Sequence, residues 1–266
     1  MDFFSFAPVP EGAPLYLETF GPYHWTAMAF IAVLGALVVV FRRPLRESGK
    51  EGPILAAATA VALAFEISLH VGQYLGRPYY EFLRGLIPFE LCAVTLWLSV
   101  ALCATRRKTV FELLYFWGLG ALASLLFAND EGAGPNRFHY YQYFGTHAYI
   151  VLVIVWFAAV RGYSITLKSF AKAVIVLFPI TVGMRFFDSA FATPPYEFNF
   201  MFLLSPPDVS TPLDSFGRGW GYYFAFVGLC AAVMLVAYLP WPLVRAIRSR
   251  RAPGPRDPVH CGGKSR

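Results

Sequence analysis

A thiol, several imidazoles and a few carboxylates stand out in a chain otherwise dominated by apolar side chains. Cys92 lies in an apolar stretch that follows Pro88, and a proline suits the first turn of a helix. A thiol near a helix N-terminus meets the positive end of the helix dipole, which favours the thiolate, the nucleophilic form. A base must still take the proton, and His147 and His70 are the histidines expected at compatible depth. Glu66, His70 and Gln73 are spaced four and three apart, so a helix carries them on one face. Glu90 precedes Cys92 by two positions, and within one helix it would point the opposite way, toward another partner.

Other polar groups suit a shared cavity or packing. His139, Gln142 and His147 fall in one run, and Arg185 and Asp188, three apart, are expected to form an ion pair at the end of another. Cys92, Thr95, Ser99 and Cys103 form a stripe of small polar residues, which in membrane helices serves close packing as readily as chemistry. Glu66, His70, His139 and His147 are metal-ligand types, but no HExxH-like spacing fixes a geometry, so neither a metal nor another cofactor is expected. The four cysteines show neither CxxC spacing nor a short disulfide framework.

The elements that must position these groups are long apolar runs. Only 14% of the 266 residues are charged, against roughly 25% in soluble domains, and the apolar residues arrive in blocks. Seven blocks approach the roughly 20 residues needed to cross a hydrocarbon core: 23–41, 53–75, 86–104, 110–127, 140–160, 170–191 and 219–238. Backbone groups in lipid must be satisfied within the segment, so these are helices, and the expected fold is an all-α polytopic bundle. Residues 1–22 lack lysine and arginine, hence the basic start of a cleavable signal, and are expected to be a short extracytoplasmic N-terminus.

Orientation follows from basic residues. Seventeen of the 22 lysines and arginines lie after the first, third, fifth and seventh runs, and the bias alternates at every loop. Under the positive-inside rule this gives seven crossings with the N-terminus outside and the C-terminus inside. Residues 192–218 become a long outer loop whose apolar part, 196–204, is too short to cross and lies at the interface or re-enters. Residues 242–266 are expected to be a basic, disordered tail near anionic headgroups. The basic residues show no interleaved aromatic pattern, so nucleic acid is not an expected partner; membrane lipids are.

This topology places Glu66, His70, Glu90, Cys92, Gln142, His147, Arg185 and Asp188 near the outer leaflet, and Glu112 near the inner end. A cavity opening outward and helix glue are the competing readings. Three functions remain open on these residues: an enzyme using Cys92, a small-solute or ion transporter using the buried charges, and a structural or assembly protein.

Several short segments resemble the bacterial YwaF-type integral membrane proteins: Ile87-Pro-Phe-Glu-Leu-Cys92, Tyr115-Phe-Trp-Gly-Leu119, Phe144-Gly-Thr-His147, Asn199-Phe-Met-Phe-Leu203, and Leu213-Asp214 with Gly217. That family is in turn remotely similar to eukaryotic multi-pass cysteine acyltransferases acting on ether phospholipids. The resemblance implies a thiol nucleophile at Cys92 with His147 as partner, an acyl-lipid or other small-molecule substrate, and the bacterial cytoplasmic membrane as location. Asn199 and Asp214 join the candidate cavity residues on the same grounds. Glu90 departs from the family pattern, where histidine is usual.

Overall fold

The computed structural model describes residues 3–5, 9–76, 83, 85–128, 132–206 and 212–251, and every structural statement below concerns these. Arg77, Arg84, Cys261 and the tail beyond residue 251 lie outside them, as does part of the 192–218 loop.

Helices carry the whole described architecture: α1 (Pro22–Val40), α2 (Arg42–Glu47), α3 (Glu51–Gly76), α4 (Leu91–Thr105), α5 (Lys108–Trp117), α6 (Leu119–Leu126), α7 (Phe138–Ala159), α8 (Leu167–Ala190), α9 (Gly219–Tyr238) and α10 (Pro240–Arg251). Local chemistry sets several boundaries. Pro22 opens α1 where its missing N–H costs nothing. Thr166 and Ser169 form a reciprocal capping box at the start of α8. Arg106, in the left-handed region at φ 54°, ends α4 and turns the chain into α5.

Six helical stretches are long and apolar enough to cross a membrane: Pro22–Val40, Glu51–Leu75, Lys108–Leu126, Phe138–Ala159, Leu167–Ala190 and Gly219–Ile247. The expected third run is different. Its helix begins at Leu91 rather than near residue 86 and has 15 residues, because Glu90 is extended (φ −64°, ψ 140°) and breaks the helical path. Pro88 therefore belongs to the turn before the helix, not to its first turn. The fourth run is divided at Gly118. The last continues as a helix through Arg251, ten residues into the expected basic tail.

Helix α7 is the axis of the bundle, with α1, α3, α4 and α6 packed around it. Phe111, Leu114, Phe116, Trp117, Ile150, Val153 and Phe157 form the centre of the main core. The outer faces are apolar too: Phe30, Val61, Ile175, Phe224 and Val236 are exposed, as a lipid-facing surface requires.

The basic loops meet at one end of the bundle. Arg161 makes a bidentate salt bridge to Glu51, the Tyr163 hydroxyl donates to the Arg106 carbonyl, and Arg245 donates to the Ile165 carbonyl. At the opposite end the N-terminal segment is pinned to the 128–138 region. Leu17 N–H donates to the Gly132 carbonyl (3.0 Å), and Thr19 donates to the Ala128 carbonyl (2.7 Å).

Candidate functional site

Cys92 occupies the second position of α4, with Glu90 as the residue before the helix. The first N–H groups of a helix have no intrahelical acceptor, so the thiol stands beside donors that the helix itself does not satisfy, at the positive end of the dipole. Its Sγ lies 3.5 Å from Ser124 Oγ on α6, and the His147 imidazole on α7 is within hydrogen-bonding reach.

Tyr143 ties this group together. Its carbonyl, one turn before His147, lies 2.7 Å from His147 Nδ1. A carbonyl can only accept, so Nδ1 carries the proton and the lone pair sits on Nε2, the nitrogen that can take a proton from a thiol. The Tyr143 ring packs on the imidazole at 4.5 Å between centroids, and its hydroxyl donates to the Ser124 carbonyl at 2.8 Å. Tyr143 and Ser124 do not stand out in the sequence, because neither ionises near neutral pH. The signal available was the i, i+4 relation of Tyr143 to His147.

Behind His147 stands Glu66 on α3, close enough for direct electrostatic interaction and 3.5 Å from His70 Nε2. The close approach of α3 and α7 depends on Gly145, since a Cβ there would meet the Phe65 ring at 2.6 Å. Thus α3, α4, α6 and α7 bring Glu66, His70, Cys92, Ser124 and His147 into one polar group within the bundle.

On its other side Cys92 faces a cavity of about 360 Å³ running between α4, α5, α6, α8 and α9. Glu90 and Cys92 share its wall, although their spacing in a continuous helix would have set them apart; the extended backbone at Glu90 is the reason. The remaining wall is almost wholly apolar, with Trp117, Leu177, Leu203 and Met234 among the lining side chains. Ser124 is seven residues from Trp117, so by helical rise the cavity extends about 10 Å away from the thiol. Trp117 is fixed there by an indole hydrogen bond to the Ala173 carbonyl (3.2 Å). Phe178 on α8 and Leu229 and Val233 on α9 both line the cavity and are exposed on the lipid-facing surface.

The segment after α8 folds back over the cavity. Phe198, Phe200, Met201 and Leu203 are buried, so this stretch packs into the bundle. Met201 N–H donates to Glu90 Oε2 (3.2 Å), and the Tyr222 hydroxyl donates to the Phe202 carbonyl (2.9 Å). Arg185 is buried, donates to the Leu203 carbonyl, and lies over the Trp220 ring at 4.6 Å. Asp188 is buried one turn further along α8.

Arg185, Asp188 and the remaining candidate residues do not line this cavity wall. Asn199 clamps its own loop, donating to the Ser205 carbonyl and accepting from Leu204 N–H. Gln142 is buried in α7, and Asp214 is exposed in a short 3-10 helix, Pro212–Phe216. Thr95 and Ser99 donate to carbonyls of their own helix, which is the packing use of that stripe. Glu112 pairs with Lys172 near the basic end.

An all-helical bundle with six stretches able to cross a membrane, enclosing a polar group beside an apolar cavity, defines a multi-pass membrane protein. The chain belongs to the TMEM164 family, whose sequence model matches residues 19–238. It is also 26% identical over 227 residues to an uncharacterised protein of Treponema pallidum (strain Nichols), an alignment covering 84% of this chain and 89% of that protein. No solved structure matches it.

Proposed function

We propose that this protein is an intramembrane cysteine enzyme that transfers or hydrolyses the acyl groups of lipid esters, with Cys92 as nucleophile and His147 as general base. The observation that carries this reading is the Cys92–His147 contact at the wall of an apolar cavity, some of whose lining side chains reach the lipid-facing surface. The apolar cavity suits an acyl chain, and a volume of 300–1,000 Å³ is usual for small-ligand sites.

The chemistry follows from the geometry. His147 Nε2 takes the thiol proton, and the thiolate attacks the ester carbonyl. The carbonyl oxygen gains negative charge and is met by the N–H groups of the first turn of α4 and the Ser124 hydroxyl. The C–O bond breaks, the departing alkoxide takes the proton from His147, and the acyl group remains as a thioester on Cys92. An acceptor hydroxyl, or water, then gives its proton to His147 and attacks the thioester, restoring the thiol. Glu66 supports the imidazolium that forms in each half-reaction.

Basic-residue counts support seven crossings in the cell membrane, α4 being the third and adding to the six long stretches, with the N-terminus outside and the Cys92 end toward the outer leaflet. At 15 residues α4 is shorter than a full crossing, so the backbone preceding it completes the passage.

The test is a lipid-like thiol electrophile applied to the purified protein. Cys92 labels ahead of Cys103 and Cys230, and His147→Ala slows that labelling by about a hundredfold or more. Cys92→Ser abolishes acyl transfer while the protein stays folded. Full lipid-remodelling activity in Cys92→Ser, or labelling that ignores His147, refutes the assignment.

A further inference from the structure

A second site stands at the basic end of the bundle, remote from Cys92. A groove there is lined by Val39 at the end of α1, Arg42 and Arg46 on α2, Ala159 at the end of α7, and Arg161 and Gly162 just beyond it. Three guanidinium groups thus converge on one concave surface. Among the described residues only Arg161 has a carboxylate beside it, Glu51, which engages its Nε and Nη2 at 2.6 and 2.5 Å.

The other two are held in place by backbone oxygens. Arg46 donates from Nε to the Val160 carbonyl (2.5 Å) and from Nη2 to the Ala159 carbonyl (3.3 Å). Arg42 donates from Nη1 to the Val39 carbonyl (2.9 Å). These bonds fix the side chains without neutralising them, and neither residue has a salt bridge among the described residues. The Nη1 groups of Arg46 and Arg161 and the Nε and Nη2 of Arg42 remain as donors. Gly162, in the left-handed region at φ 73°, turns the chain so that Arg161 and Arg46 share the groove; a Cβ there would lie 3.8 Å from Arg46 Nη2.

Like charges held together cost free energy unless an anion lies between them, and planar guanidinium donors match phosphate oxygens in geometry. The groove lies where the apolar α1 gives way to the charged α2. Val39, Val40 and Phe41 are exposed on the apolar side of it. A phosphate at this level, with hydrocarbon descending beside it, is the headgroup of a membrane lipid.

We propose that Arg42, Arg46 and Arg161 form a binding site for the phosphate group of an anionic phospholipid, which staples α2 to the end of α7. The site is independent of the chemistry at Cys92.

The experiment uses the full chain, delipidated in detergent and reconstituted in nanodiscs of phosphatidylcholine alone or with one-fifth phosphatidylglycerol, with bound lipid counted by native mass spectrometry. The wild-type protein retains phosphatidylglycerol in preference to phosphatidylcholine, and retention weakens as ionic strength rises. Arg42→Gln, whose side chain bonds only the adjoining end of α1, reduces retention by about fivefold, the equivalent of roughly 1 kcal/mol per basic residue at a membrane surface. Arg42→Lys restores most of it. Adding Arg46→Gln removes the preference, and a melting curve shows that this variant is folded. Equal retention of both lipids, or a preference unchanged in Arg42→Gln and in the double variant, overturns the proposal. Displacement of phosphatidylglycerol by equimolar inorganic phosphate also overturns it, since the site would then take free phosphate rather than a lipid.

Discussion

His147 Nδ1 lies 2.7 Å from the carbonyl oxygen of Tyr143, one turn earlier on the same helix. This bond fixes the tautomer before any substrate arrives, and it needs no tertiary partner. What the tertiary structure adds is the thiol of Cys92, carried in on α4 to within reach of this imidazole.

Glu66 is the residue that tests whether this pair works as a charge-separated unit. It lies within electrostatic reach of His147 and 3.5 Å from His70. Glu66→Gln slows Cys92 labelling at pH 7 by about tenfold, corresponding to roughly 1.4 kcal/mol of lost charge stabilisation. Glu66→Asp recovers part of the rate. A variant that melts earlier but labels at the wild-type rate would reduce Glu66 to a packing role.

The apolar cavity predicts chain-length dependence. Ala231 lines it, and Ala231→Phe fills space that a long acyl chain would occupy. Turnover of long-chain esters falls by about tenfold, whereas short-chain esters are spared. Competition assays across a series of chain lengths read this directly, and a uniform loss at every length would show that the cavity does not hold the chain.

Gly145 sets the distance between α3 and α7. A methyl group there meets the Phe65 ring at 2.6 Å, so Gly145→Ala forces the two helices apart. The expected cost is about 1–3 kcal/mol of stability, as for overpacked cores, together with slower Cys92 labelling as Glu66 retreats from His147. Thermal unfolding in detergent gives the first number. Unchanged stability would mean that Phe65 swings away freely.

Topology is tested with reporters. A reporter fused after residue 251 is expected in the cytoplasm, and one inserted in the loop before α7 is expected to be exported. Gly132 is a poor insertion point, since its carbonyl accepts the Leu17 N–H and its Cβ position is filled by the Tyr16 ring. The exposed Asn136 serves better. A cytoplasmic reporter at Asn136 would refute the seven-crossing orientation.

Composition alone determined that this chain is an all-helical membrane protein, because twenty-residue apolar blocks have only one way to satisfy their backbone groups in lipid. The six long helices were legible for the same reason, as was the shared face of Glu66 and His70, which follows from helical spacing within one element. The start of α4 was not legible. The apolar pattern continues through 86–90, and only the extended backbone at Glu90, whose carboxylate accepts from Met201, reveals that the helix waits until Leu91. The same break turns Glu90 and Cys92 toward one cavity. The parts of Tyr143 and Ser124 were not legible either, because they are set by which helices touch and not by their own ionisation. Spacing along a chain fixes what one helix can present. Which faces meet across α3, α4, α6 and α7 depends on close-packed side chains far apart in sequence, and only the folded bundle decides that.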